Sequence, residues 1–571
     1  MELQCQLLLY LDKRRYLADM KTECEKFLQE QVNRINKFPP LRFLLKIDVM
    51  DLLDTFASVG MYVIQEPLKW QRMCSEILFA CLKSTAGEQN QNIRQDQCLA
   101  LVRLQSLSKL LIPPNKQHYS GLVLFEGILI SISNPTSYVH HTVWCCPEEC
   151  EGSEVVLHYI PKAPPKCYIC RSVLFENSGF RRCGEQVIAT FKLERYSKNL
   201  SISDDLIPKL TLGLKYSIHA VVLKKLTAVW SLEEIIPLST PLTCPILKDI
   251  EVLYKYCDGL PWKFVYCLAG TIGVNVCPRN CFMHLKISLL ISLCSVKARL
   301  QTKSEIVHVL AAGCDTGYVG KLMTEASKVA DRSIFLGTCN ATVSTSLLAS
   351  SGGVCVLPLP LHAYNQKQTC GVLAAVESGE VTTETSKTKL RSAVWAQGMD
   401  FKKIVLYNVA SVFGSVCRGD YCEFNEEIND FILERAIDPV ESNSQELQEL
   451  KELASYIDLV AGIKVSLNFT TENLLKKYFL AARKERSSAV AVGSMRALVA
   501  TCMTSARLCR RSVANIDDAV LAIWLHESGS PEPRLAPEEC LQTPANFKKL
   551  HNKLNTFKEW LEQFTGSIIF N

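Results

Sequence analysis

The sequence lacks any apolar run long enough to cross a membrane. Its most apolar internal stretch, Ile287 to Cys294, falls far short of the roughly 18 residues a span requires. It shows no secretion signal either: the apolar run within Met1 to Arg15 is short, nothing basic precedes it, and no small-residue cleavage site follows. Neither sign of charge is in excess. The 63 Lys and Arg face 58 Asp and Glu, a net of +5. That balance excludes histone-like binding by a whole basic surface and leaves only local patches for nucleic acid. With 48% hydrophobic and 21% charged residues the chain is neither disordered nor collagen-like. Its 571 residues suffice for roughly two to four domains with buried cores.

Cysteine is plentiful, with 26 in the chain. The missing signal points to an intracellular, reducing setting, where most of these are expected as free thiols packed like small hydrophobes. One group has metal spacing. Trp144-Cys145-Cys146-Pro147-Glu148-Glu149-Cys150 is followed by Cys167-Tyr168-Ile169-Cys170. Two close thiol pairs separated in this way have the form of a zinc ribbon, because each pair must bring two thiolates to one tetrahedral ion. Cys167 and Cys170 make a C-x2-C knuckle. Cys150 pairs with Cys145 (x4) or with Cys146 (x3), and Cys183 and His158 are spare candidates. Four thiolates close the coordination shell, so the expected role of zinc is structural.

Hydrophobic periodicity divides the chain. Residues 1–112 read as helical, from Leu7, Leu11, Tyr16 and Met20 to Val49, Leu52, Phe56 and Val59. After Pro113-Pro114 come strand patterns at Leu122–Ile132, Val155–Ile160, Gln186–Leu193 and Tyr216–Leu223, which suggest a small barrel or sandwich. Buried strands at Ile306–Ala311, Val354–Leu357 and Ser392–Ala396 alternate with helices, as in a parallel α/β sheet. From 445 onward the pattern is helical, with Thr470 or Thr471 capping one helix and Asn515 another. A last helix carries Phe547, Leu550, Leu554, Phe557, Leu561 and Phe564 in a seven-residue seam. At this length the seam is expected to dock on its own protein, and a partner helix is the alternative.

Several strings in this order resemble the minichromosome maintenance (MCM) family, the hexameric DNA helicases of the AAA+ class. Ala269-Gly270-Thr271-Ile272-Gly273 resembles the start of the MCM ATPase domain, and Gly352-Gly353-Val354-Cys355 its Walker B strand. Met495-Arg496-Ala497-Leu498, Ser505-Ala506-Arg507-Leu508 and Asp517–Ile523 resemble the C-terminal helical segment, with Arg496 as sensor 2. The resemblance implies a multidomain α+β and α/β chain. Its parts would be an N-terminal helical subdomain (1–112), an OB-fold (113–242) with a zinc ribbon inserted at about 144–183, a degenerate AAA+ α/β domain (243–440), a helical lid-like subdomain (441–527), and a linker with an amphipathic C-terminal helix (528–571).

The catalytic positions depart from the family. The P-loop stretch reads Cys314-Asp315-Thr316-Gly317-Tyr318-Val319-Gly320-Lys321-Leu322. Gly320 stands where the phosphate lysine belongs, or Lys321 takes that role one residue late and Leu322 replaces the magnesium hydroxyl. Pro358 and Leu359 stand for the two Walker B acids, Val412 for the arginine finger, and Gln397 for the sensor asparagine. Losing an arginine finger alone costs about 10³–10⁵ in rate. A pseudo-ATPase is therefore expected, with no catalytic residue and no magnesium. Gly317, Lys321 and Arg496 remain as a nucleotide-binding remnant, and ATP binding stays open.

Within the family, the ribbon most resembles a divergent meiotic branch, which favours Cys145 over Cys146 as ligand. That resemblance implies a nuclear role in meiotic recombination, double-strand-break repair and crossover formation, on DNA and beside other MCM-like proteins, without a membrane. A family-type DNA hairpin would fall at Lys224-Lys225, just before Trp230. The same residues also read as a solvated turn over a core tryptophan. Arg507, Arg510 and Arg511 are further candidates for DNA or a neighbouring subunit, while Arg483, Lys484 and Arg486 read as a solvated helix face.

Overall fold

The computed structural model describes residues 2–32, 41–86, 95–106, 121–150, 155–222, 227–236, 248–302, 304–313, 316–338, 342–398, 404–414, 416–418, 425–437, 442–486, 490, 492–530, 534–542 and 547–566. The chain forms two compact units, residues 1–235 and 236–571. Together they make a mixed helical and sheet protein with several sheets. Among the described residues no helix is long and apolar enough to cross a membrane.

The first unit begins with helices α1 (Glu2–Lys13) and α2 (Tyr16–Val32), strand β1 (Leu41–Asp48), helices α3 (Val49–Thr55), α4 (Ala57–Gln65) and α5 (Pro67–Ala86), and strand β2 (Cys98–Gln105). The stretch read as all-helical thus holds a parallel pair of strands, in register from Leu41↔Cys98 to Asp48↔Gln105. The reason is a period of two inside a helical context. Leu41, Phe43, Leu45 and Ile47 are buried, and so are Cys98, Ala100, Val102 and Leu104. Leu7, Leu11, Met20 and Phe27 join the same core. Asp48 ends β1 and caps α3, its carboxylate accepting from the N–H groups of Met50 (3.0 Å) and Asp51 (3.1 Å).

Next come β3 (Leu122–Ile132), β4 (Thr136–Cys145), β5 (Val155–Leu157), β6 (Phe175–Glu176), β7 (Arg182–Lys192), β8 (Ser197–Ser203), β9 (Lys215–Val222) and β10 (Thr227–Glu234). Five of them follow the order β3-β9-β10-β8-β7, and β7 pairs back onto β3, which closes a barrel. All neighbours are antiparallel except β8 and β10, joined in parallel at Ser201↔Ala228. Closure removes the free edges that an open sheet would expose. Val187, Ala189, Phe191, Ile202, Ile218 and Ala220 are buried. Between the first and second barrel strands the chain leaves on β4, whose far end pairs with β5 and β6. That excursion carries the cysteines.

The second unit is built on a parallel sheet of β11 (Val309–Ala312), β12 (Ser333–Phe335), β13 (Val354–Pro360), β16 (Ala393–Gln397) and β17 (Val416–Arg418), with β14 (Glu380–Thr382) and β15 (Lys387–Lys389) as a separate hairpin. The order is β12-β13-β16-β11-β17. Its helices are α6 (Lys248–Tyr256), α7 (Pro261–Ala269), α8 (Met283–Thr302), α9 (Thr316–Ala326), α10 (Val343–Ala349), α11 (Gln366–Ser378), α12 (Ile404–Phe413) and α13 (Asn425–Ile437). A helical region follows: α14 (Ser442–Ala461), α15 (Phe469–Glu485), α16 (Val492–Leu508), α17 (Ile516–Gly529), α18 (Glu538–Leu541) and α19 (Phe547–Thr565).

Asn515 caps α17 as its sequence suggests, accepting from the Asp518 N–H while the Asp518 carboxylate accepts from Asn515 N–H. The α15 cap differs from expectation. Asn468 holds the cap position, and the buried Thr471 hydroxyl donates instead to the Ala514 carbonyl at 3.2 Å. The seam of α19 docks on its own protein. Leu550, Leu554, Phe557 and Leu561 are fully buried in the core shared with α7, α15 and α17. Gly566 ends the helix in the left-handed region (φ 60°), its N–H donating to Glu562 O at 2.8 Å.

Candidate functional site

The cysteine centre is set by strand alternation. Successive side chains on a strand point to opposite faces, so Trp144 and Cys146 share one side and Cys145 takes the other. Cys145 faces Phe175 across the β4–β6 pair, whereas Trp144, Cys146, Cys167 and Leu174 form a small buried core. The Sγ atoms of Cys146, Cys150, Cys167 and Cys170 all lie within 4.8 Å of one another. This corrects the expected first ligand: Cys146, not Cys145, reaches the cluster, and the first knuckle is C-x3-C. Cys183 and His158 lie outside the group.

Both knuckles are shaped by a left-handed residue, Glu149 (φ 50°) in the first and Arg171 (φ 62°) in the second. The Arg171 N–H donates to Cys167 O at 3.1 Å, and Cys167 N–H to Ser172 O at 2.8 Å. The Ile169 N–H points at Cys167 Sγ, 3.4 Å away. Backbone donation by Cys170 leads the effects that hold the Cys167 thiol down to about 6, while burial pushes Cys150 up to about 12. Cys146 Sγ and Cys170 Sγ are 3.4 Å apart. Zinc–sulfur bonds of about 2.3 Å place tetrahedral sulfurs about 3.8 Å apart, so a small relaxation fits the four thiols to zinc. The donor set is all sulfur and saturates the ion, which suits a structural metal.

The positions expected to hold nucleotide are divided between two cavities. Gly317 and Lys321 on α9 line one of about 760 Å³, with Gly320, Pro358, Gln397 and Arg435. The Lys321 ammonium lies 5.6 Å from the centre of the Tyr318 ring. Leu322 is fully buried and packs on Gly273, where a Cβ would come within 2.0 Å of it. The position that would supply a magnesium hydroxyl therefore belongs to the core. The Gln397 side chain is buried and donates to Pro358 O at 2.5 Å. Glu325 is the one acid among the residues lining the cavity, and it pairs with Lys328 at 2.7 Å.

Arg496 lies elsewhere. It lines a second cavity of about 380 Å³ with Arg299, His308, Val412 and Phe413. Ile306 to His308 lead into β11 and Gly317 follows it, so the two cavities sit at opposite ends of that strand. Arg496 is not assembled with Lys321 as the sequence expectation grouped them.

Lys224 and Lys225 lie outside the described residues, between β9 and β10. Trp230 is buried in the core of the first unit. The other basic candidates are largely structural. Arg507 is fully buried and donates to Ile463 O (3.0 Å) and Ser304 Oγ (2.9 Å). Arg511 pairs with Asp518 at 2.8 Å. Arg510 lies over the Tyr254 ring at 4.7 Å. Arg486, read as solvated, is buried against Glu527. Except for Asp518, which is close in sequence to Arg511, these partners lie far along the chain from their arginines, so no local pattern announces them.

Residues 3–107 match the family model described as MCMDC2, N-terminal domain. The chain is MCMDC2-like. It is 20% identical to minichromosome maintenance domain-containing protein 2 of Rattus norvegicus, across 91% of this chain and 89% of that one. The proteins of the same name from Mus musculus and Homo sapiens are also 20% identical, each across 97% of this chain and 94% of its own length.

Proposed function

We propose that this MCM-like chain is a non-catalytic, nuclear scaffold that promotes meiotic recombination, double-strand-break repair and crossover formation through DNA and MCM-like partners. In this reading the closed barrel is an OB-fold with an inserted zinc ribbon, the parallel sheet is a degenerate AAA+ module, and the helices after residue 441 act as its lid. One observation carries the non-catalytic part. Gly320, Pro358 and Gln397 stand where the MCM resemblance puts the phosphate lysine, the Walker B acid and the sensor, and the Gln397 amide donates to Pro358 O and fills the space against Gly320. Phosphoryl transfer depends on positioned charge, and this trio supplies none.

The open cavity with Lys321 and Arg435 favours a second feature, nucleotide binding without hydrolysis. Radiolabelled ATP hydrolysis on purified, DNA-saturated protein tests the reading, with no turnover above buffer expected. Turnover at MCM-like rates would sink it and favour an active DNA-dependent ATPase. Fluorescent-nucleotide titration, with and without magnesium, then separates binding from its absence. The rival reading of a protein-interaction module without DNA contact relied on the 547–564 seam, whose Leu550, Leu554, Phe557 and Leu561 are buried within the protein.

A further inference from the structure

The cysteine ribbon exposes several aromatic and apolar side chains. Tyr168 is 87% exposed at the tip of the second knuckle, Tyr159 61% and Phe175 51%. Strand alternation explains the layout. Cys167 and Leu174 face the metal core, so Lys166, Val173 and Phe175 face outward, with Lys166 paired directly across from Val173. Lys162, Lys166 and Arg171 are exposed, and no carboxylate occurs among residues 155–175. Glu148 and Glu149 belong to the first knuckle, and Glu151 and Glu154 follow it in the sequence.

We propose that the second knuckle, with Tyr168 at its tip between Lys166 and Arg171, is a stacking platform for single-stranded DNA. Exposed aromatic rings beside cations that form no ion pair among the described residues suit bases and phosphates together, and they do so without sequence preference. A protein partner is the poorer fit, because lysine is depleted at the centre of protein interfaces and here Lys166 sits in the middle of the face. The knuckle's turn is held by its backbone hydrogen bonds, which reduces the order lost when a base stacks on it. The inference rests on the DNA-contact part of the proposed function, but locates a contact distinct from Lys224 and Lys225.

The test uses the zinc-loaded full chain and a fluorescently labelled oligodeoxythymidine strand, read by anisotropy across a salt series. Tyr168→Ala is expected to bind about ten-fold more weakly, with unchanged zinc content and an unchanged salt slope. Lys166→Ala with Arg171→Ala is expected to lower the log–log slope by roughly 0.7 per cation removed. Unaltered binding in both knuckle variants, while Lys224→Ala with Lys225→Ala weakens it, overturns this proposal and leaves the DNA reading standing. A wild-type chain that binds no oligonucleotide overturns both. If the exposed rings instead cross-link to a second copy or another protein in solution and DNA does not compete, the surface is a protein interface and the proposal fails.

Discussion

The side-chain amide of Gln397 donates to the backbone carbonyl of Pro358 at 2.5 Å and lies so close to Gly320 that an added Cβ there would meet its nitrogen at 2.7 Å. One neutral side chain thus fills the space between the helix that follows β11 and the end of β13. The three residues fit together: a glycine makes room, a proline presents only its carbonyl, and a glutamine reaches across.

This packing predicts coupling between two positions. Gly320 lies inside α9, where Ala is favoured over Gly by about 1 kcal/mol. In the native site the added methyl collides with a pinned amide and with Pro358 O at 3.1 Å, and overpacking of this kind costs about 1–3 kcal/mol. Gly320→Ala alone should therefore lower stability, whereas the same change in a Gln397→Ala background should raise it. Urea unfolding of the four proteins of this cycle checks the sign reversal, and simple additivity would show that the two residues do not share the space.

Metal content separates the two adjacent cysteines. Cys146→Ser removes a ligand from the cluster, so bound zinc should fall from about one per chain to nearly none, and the ribbon should become sensitive to proteolysis. Cys145→Ser, on the opposite face of β4, should keep its zinc. Elemental analysis of both variants after desalting decides the matter, and zinc loss from the Cys145 variant alone would reverse the ligand assignment.

Why these details were or were not legible follows from the range of the forces involved. The barrel strand at Leu122–Ile132 and the α17 cap are local patterns, and both stand where the sequence indicates. The β1–β2 pair joins Leu41 to Cys98 across 57 positions, and nothing local announces a parallel partner that far away. The choice of Cys146 depended on knowing where β4 ends, because one residue of register reverses which thiol faces inward. Arg507 and Arg486 look like surface cations in sequence and become buried only through tertiary partners.

A buried histidine makes the first unit sensitive to acid. His219 on β9 is fully buried between Leu124 and Ser231 in register, and among the described residues neither ring nitrogen has a hydrogen-bond partner. Burial pushes its pKa from 6.5 down to about 4. The unfolded chain therefore binds this proton first, and the stability due to the neutral ring is present above pH 6.5 and lost as the pH falls toward 4. His219→Leu should flatten that slope. At pH 7 it should also stabilise the unit by about 1 kcal/mol, since it removes a buried polar group that is unsatisfied. Urea midpoints between pH 7 and 4 measure both effects, and an unchanged pH slope would show that His219 does not titrate differently on unfolding.

The C-terminal helix offers the sharpest separation of a structural role from a partner-binding one. Phe557 is fully buried in the core of the second unit and its ring lies 5.1 Å from that of Trp560. Lys558, one residue on, pairs with Asp517 at 2.8 Å and lies over Trp262. Truncating a buried phenylalanine costs about 3–5 kcal/mol through lost transfer energy and a residual cavity. Phe557→Ala should accordingly lower the unfolding transition of residues 236–571 by an amount that a surface helix could not. Lys558→Ala should cost less, because an ion pair that is partly solvated contributes only about 0–1 kcal/mol. If α19 were instead a detachable handle for a partner, Phe557→Ala would leave thermal and urea unfolding of the isolated chain unchanged. Its effect would then emerge only in complexes, and the docked arrangement would not be the state in solution.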